Sequence, residues 1–216
     1  MPRRTRRAPA PKWRRRKDDR PAEIISAALA TFAERGYAAA RLDEVAARAG
    51  VSRATLYLYF RGKEDLFKAA VRRLIVPAVD RSEKGADAFT MSSADLLRRF
   101  LGSIPASLES AGVAVIPKIV IAESKNFPDL ARFYFNEVPS RARRNVTALV
   151  RRGIERGEFA PIDADHAFFC IVAPIFMTVL WRSVFGPFDK DPPDVDAVCR
   201  THLDLLLRGL ENRGQQ

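Results

Sequence analysis

The sequence predicts an all-α protein, and three observations carry that reading. Apolar residues recur at i, i+3, i+4 and i+7 in one segment after another. No stretch shows convincing period-two alternation, so no sheet is expected. Gly and Pro punctuate the helical segments at Gly36, Gly50, Pro77, Gly112, Pro128, Pro139 and Gly157.

The elements follow in order. A first helix is expected from about Pro21 to Arg35, capped by Asp18 or Asp19, with Ile24, Ala28 and Phe32 on its buried stripe. In a second, Leu42, Val45, Ala46 and Ala49 form one apolar face. Gly50 suits the left-handed conformation that ends a helix, and Ser52 suits the N-cap of the next. That third helix opens with Arg53 and Thr55 and carries Leu56, Tyr57, Tyr59 and Phe60. Two helices joined by a tight Gly-containing turn form a helix-turn-helix, here over 41–60, a pattern whose second helix can enter a DNA major groove. A fourth helix runs from Lys63 to about Val76, with Glu64 and Asp65 favouring its N-terminal dipole and Pro77 bending or ending it.

The chain then divides by composition. Residues 1–17 read as a basic disordered arm, 18–78 as the helix-turn-helix domain, 79–92 as a linker and 93–211 as a larger helical domain. Helices are expected near 93–111, 113–126, 128–137, 139–156, 164–185 and 194–210, with a loop at 186–193.

Charge is distributed unevenly. The first 20 residues hold ten Lys/Arg against Asp18 and Asp19, which is +8 of the total +11 and leaves +3 for the other 196 residues. Such an arm suits a polyanion, whose phosphates it neutralises while releasing counterions. Its prolines and lack of apolar periodicity argue for disorder until it is bound.

Cys170 and Cys199 are too few for a disulfide framework and are expected to be reduced core thiols of a cytoplasmic, nucleoid-associated protein. The N-terminus lacks the apolar stretch of a signal peptide. The apolar run 167–181 is 15 residues long, short of the ~20 a bilayer span needs, and Pro174 interrupts it. A buried helix is expected there, and no membrane partner.

The first 80 residues resemble the DNA-binding domain of the TetR family of bacterial transcriptional regulators. The matching runs are Ala33-Glu34-Arg35-Gly36-Tyr37, Leu42 through Ser52, Thr55-Leu56-Tyr57-Leu58-Tyr59-Phe60 and Lys63-Glu64-Asp65-Leu66, in order and at family spacing. The segment Ile121–Ala131, followed by Arg156-Gly157-Glu158-Phe159, resembles one recurring C-terminal subtype. The resemblance implies an N-terminal three-helix helix-turn-helix DNA-binding domain, then a helical ligand-sensing and dimerisation domain. It also implies about nine helices in all and a homodimer built through the last two.

It further implies that Thr55, Tyr57, Tyr59 and Lys63 touch phosphates of a double-stranded DNA operator. Arg53 and Ala54, earliest in the recognition helix, are the candidates for reaching base edges, and Arg53 could grip guanine bidentately. The family commonly has Gly where Ala54 stands and often His where Tyr59 stands, departures that bear on operator sequence rather than fold. Leu56 and Phe60, at i and i+4, are expected to be core, while Leu58 is open between a thymine methyl and plain exposure.

The expected regulator is a repressor released from a palindromic operator by a small apolar or aromatic effector. Candidate pocket residues are Phe100, Ile104, Ile116, Phe133, Phe168, Val172, Phe176 and Met177. No catalytic residue, metal site or cofactor is expected. The chain has no Gly-rich phosphate loop, Cys/His cluster or nucleophile elbow, and its two histidines, His166 and His202, leave little room for acid–base work. A non-specific or chromatin-compacting nucleic-acid binder is the alternative. It would account for the arm but not for the ordered motif behind it.

Overall fold

The computed structural model describes residues 12–83, 90–105 and 112–211. Its helices are α1 (Lys12–Arg35), α2 (Leu42–Arg48), α3 (Arg53–Tyr59), α4 (Lys63–Leu74), α5 (Val76–Glu83) and α6 (Ser93–Gly102). They continue as α7 (Val115–Glu123), α8 (Pro128–Glu137), α9 (Pro139–Glu155), α10 (Ala164–Val184) and α11 (Val195–Leu210). These are eleven helical segments among the described residues, with only Ile75 between α4 and α5 and only Val138 between α8 and α9. No strand occurs among them beyond one bridge between Phe159 and Glu211. The expected all-α class is the observed one.

The chain divides into two compact units, Met1–Ala69 and Ala70–Gln216, the division falling inside α4. In the first, Ile24, Ala28, Leu29 and Phe32 of α1 are buried together with Val45, Leu56, Leu66 and Phe67. Tyr37 sits between two of these rings, edge-on to Phe32 at 5.2 Å and to Phe67 at 6.1 Å. In the second, Leu97 and Leu101 of α6, Val146 and Val150 of α9, Ile171 and Ile175 of α10, and Leu207 and Leu210 of α11 form the core with Phe159.

Several boundaries differ from expectation. α1 begins at Lys12, nine residues before Pro21, so Lys12–Lys17 are helical rather than part of a disordered arm. Proline's φ is compatible with a helix, and its missing N–H forfeits only one bond to the turn before it. The remaining arm, residues 1–11, lies outside the described residues. α6 ends at Gly102 rather than near 111, three residues before Pro105, which lacks the N–H that would bond back to Leu101, and helix resumes at Ile104. The stretch expected as a linker, 79–92, starts as helix, because Pro77 falls in the first turn of α5, where an N–H is dispensable.

α10 is longer and less buried than its 15-residue apolar run suggests. Capped by Asp163, it spans 21 residues, long and apolar enough to cross a membrane, and 33% of its most apolar window is buried. Ala167, Phe168, Ile171, Ile175 and Thr178 face the core, whereas Phe169, Phe176, Met177 and Trp181 are exposed. With apolar residues on every side, the pattern marks no solvent face. Cys199 is buried as expected, but Cys170 lies on that exposed face and is not a core thiol.

Candidate nucleic-acid interface

Local chemistry sets the angle between α2 and α3. Ala49 closes α2, and Gly50 follows at φ 64°, where a Cβ would be strained. The Val51 N–H donates to the Ala46 carbonyl at 3.0 Å and the Gly50 N–H to that of Ala47 at 3.1 Å. Together these two bonds make a Schellman motif. Ser52 then caps α3, its Oγ accepting from the Thr55 N–H at 3.0 Å and hydrogen-bonding the Thr55 hydroxyl at 2.8 Å. The Arg48 guanidinium grips both Glu34 carboxylate oxygens, at 2.7 and 2.5 Å, and so ties α2 to α1.

α3 is anchored on one side and open on the other. Leu56 is 0% exposed and Phe60 6%, as expected of core residues. Arg53, Ala54 and Tyr57 are exposed, and Thr55 and Tyr59 are half-buried. Leu58, at 82% exposed, packs against nothing of consequence. Arg53 and Tyr57 stand one turn apart, with the guanidinium 5.6 Å from the ring centroid and 3.5 Å from the hydroxyl. Asp43, in the first turn of α2, lies 3.2 Å from the same guanidinium. The Tyr57 hydroxyl first, and then the Asp43 charge, hold Arg53 still further toward its charged form.

Lys63 has a role that sequence reasoning missed. Its ammonium donates to the carbonyls of Tyr37 at 3.0 Å and Ala38 at 2.7 Å and lies over the Tyr37 ring. It therefore ties the start of α4 to the loop after α1. Asp43 was missed as well. An acidic residue in a first helical turn reads as a dipole partner, and no spacing signal links it to Arg53, ten positions on.

In the second unit, the eight residues expected to line an effector pocket do not converge. Phe100 lines a half-open cleft of about 370 Å³ formed by α5, α6 and α9. Ile116 and Phe168 are buried in packing, Ile104 and Val172 lie half-buried against the core, and Phe133 sits under the Arg72 guanidinium at 5.0 Å. Phe176 and Met177 are 43% and 58% exposed, on the outer side of α10, and do not line that cleft. Both histidines hold structural positions. His166 Nδ1 lies 3.1 Å from the Asp163 carboxylate, and His202 Nε2 lies 2.9 Å from the Ile171 carbonyl.

Comparison with known proteins agrees with this geometry. Residues 24–70 match the profile described as bacterial regulatory proteins, tetR family, and residues 95–209 match that of the AefR-like transcriptional repressor C-terminal domain. The HTH-type transcriptional repressor KstR2 of Mycolicibacterium smegmatis is 26% identical over 190 residues, covering 87% of this chain and 89% of that one. RutR of Escherichia coli K12, an HTH-type transcriptional regulator, is 27% identical over 164 residues, 69% of each. Among solved structures, Bacillus subtilis FadR, determined in complex with stearoyl-CoA, superposes with a TM-score of 0.71 at 24% identity, over 88% of this chain and 99% of that one. The structure of KstR2 from Mycobacterium tuberculosis also gives 0.71 at 24% identity, over 89% and 95%. The chain belongs to the TetR family of bacterial regulatory proteins, DNA-binding transcriptional repressors with a ligand-responsive C-terminal domain.

Proposed function

We propose that a homodimer of this chain occupies a palindromic operator on the nucleoid and leaves it when a small effector with an apolar or aromatic body enters the C-terminal domain. The observation that carries the reading is the division of α3, with Leu56 and Phe60 anchored and Arg53, Ala54 and Tyr57 held outward. In this reading Arg53 and Ala54 meet base edges, Thr55, Tyr57 and Tyr59 meet phosphates, and Lys63 adds charge beside them. The basic stretch 1–17, whose last six residues continue into α1, supplies further phosphate contacts ahead of the reader at 18–78, and 79–92, which begins within α5, joins that reader to the sensor at 93–211. The exposed apolar face of α10, with Leu205 on α11, is the surface that a twofold partner would cover.

The test is operator discrimination. Sites bound across the genome are mapped, and the best is compared with its scrambled sequence in gel shifts at raised salt. A large specificity ratio is expected, with loss of operator binding in Tyr57→Ala at unchanged helix content and unchanged dimer mass in light scattering. Equal affinity for both duplexes would instead mark a non-specific, compacting binder. Deleting residues 2–17 should weaken binding to all sequences and flatten its salt dependence.

A further inference from the structure

The outward side of α3 carries an apolar row beside its polar one. Leu56 and Phe60 anchor the helix at 0% and 6% exposure. At about 100° per residue, Leu58 falls about 180° around the helix from the midpoint of those two anchors. It is 82% exposed and forms the crest of the helix. Ala54, also exposed, precedes it by one turn on the same side. The neighbouring row is polar, with Arg53 and Tyr57 engaged with each other and Arg53 with Asp43.

Single exposed leucines are ordinary on protein surfaces. This one stands where a helix entering a major groove reaches deepest, so docking strips its water. Leu58 must then face one of three surfaces. A phosphate loses hydration against a branched alkyl group and gains no hydrogen bond from it. The donors and acceptors on a guanine, cytosine or adenine edge are left unpaired in the same way. The thymine 5-methyl is the apolar group that the major groove offers, and seating it against Leu58 removes the apolar surface of both from water.

The spacing suits that contact. Side chains of a helix lean toward its N-terminus, so Leu58 extends over Ala54. Ala54 is short, and the two Cβ atoms, ~6 Å apart, leave an apolar notch that a methyl group can enter. A longer side chain at position 54 would fill it.

We infer that Leu58, with Ala54 beneath it, is a specificity-determining residue that reads one thymine methyl in each operator half-site. The inference rests on the reading of α3 as the helix in the major groove, and it adds the base and the group on that base that is recognised.

The experiment uses the full chain and a pool of duplexes with a randomised centre. Bound sequences are selected from the pool, and each thymine of the enriched half-site is replaced in turn by uracil, which lacks only the methyl. Affinities are read by fluorescence anisotropy. At one thymine the replacement should weaken binding about fourfold per half-site, the worth of one buried methyl group. Leu58→Ala should bind the thymine and uracil duplexes equally at that position. Leu58→Met, still long and apolar, should keep most of the difference. Because Leu58 is exposed, both variants should keep the parent's melting temperature. No position sensitive to uracil, or a sensitivity that Leu58→Ala leaves intact, would overturn the inference while the operator reading stands. A pool that yields no enriched sequence would overturn the operator reading itself, and this inference with it.

Discussion

The Arg53 guanidinium stands 3.2 Å from the Asp43 carboxylate, so the residue proposed above to read a base is already engaged by an acid on the preceding helix. Both side chains are about half exposed, and an exposed ion pair of this kind contributes little to stability. Its consequence lies in recognition. A guanidinium held between Asp43 and Tyr57 presents a fixed plane, which bidentate pairing with a guanine edge requires. The carboxylate also repels phosphates that approach out of register. Asp43→Asn is therefore expected to raise affinity for scrambled duplex more than for operator, lowering the specificity ratio by roughly tenfold, with the melting temperature unchanged. Competition gel shifts check this. An unchanged ratio would leave the pair with no part in recognition.

Lys63 makes a different prediction, because its ammonium is committed to two loop carbonyls. Charge-assisted bonds at a partly buried site stabilise by ~1–2 kcal/mol in total, so Lys63→Met should lower the melting temperature by roughly 3–8 °C. Arg53→Ala, which removes no buried partner, should leave it in place. If Lys63 also meets a phosphate, Lys63→Met flattens the salt dependence of operator binding at temperatures where the variant is fully folded. A variant that loses stability but keeps the wild-type salt slope would confine Lys63 to the loop.

The contrast between these residues shows what the sequence made legible. The α2–α3 unit could be read closely because its chemistry is local: Gly50 takes a left-handed conformation and Ser52 caps three residues ahead. The cleft could not be read, because residues near 78–81, 96–103 and 145–152 meet there, and periodicity marks an apolar face without saying which faces meet. Phe176 and Met177 were misplaced for a related reason. On α10 no polar stripe gives the pattern a phase, so a core-facing Ile175 and an outward Phe176 look alike in sequence. The Arg53–Asp43 pair depends on side-chain rotamers, which spacing does not encode.

Acid stability should depend on two carboxylates at helix N-termini, the α10 cap Asp163 and Asp95 in the first turn of α6. Asp163 Oδ1 accepts from the N–H groups of His166 and Asp165 at 2.9 Å each, and the His166 N–H is the chief reason its carboxyl lies below the usual range. Asp95 is lowered first by the Ser92 hydroxyl and then by Arg98. A carboxyl depressed in the folded state contributes stability that is complete above its unfolded value of about 4 and is lost as pH falls through the lower folded value. The melting temperature should thus be insensitive to these groups from pH 7 to 5 and fall below about pH 4. Asp163→Asn keeps an acceptor at the cap but removes the titration, so its acid limb should be shallower than the parent's. Superimposable acid limbs would exclude Asp163 as a contributor.

Two helical glycines should respond to alanine in opposite directions. Gly209 on α11 is exposed, and a Cβ there would meet nothing within 4 Å. Replacing a helix-interior glycine of this kind gains up to ~1 kcal/mol through propensity alone. Gly153 on α9 has the same propensity to gain, but its Cβ would come within 2.1 Å of the Phe159 ring. That ring is only 3% exposed and is held by its surroundings. The Phe159 and Glu158 N–H groups both donate to the Gly153 carbonyl, at 3.0 and 2.9 Å, and Phe159 pairs with Glu211 beyond α11. The ring cannot swing aside without disturbing the end of α9, and overpacking of this kind costs ~1–3 kcal/mol, more than the propensity gain. Gly209→Ala should therefore raise the melting temperature slightly and Gly153→Ala should lower it. Removing the obstacle with Phe159→Ala should abolish the penalty of the alanine at 153, leaving a non-additive double mutant. Equal shifts for the two glycines would show that Phe159 yields freely and that its packing against α9 is loose.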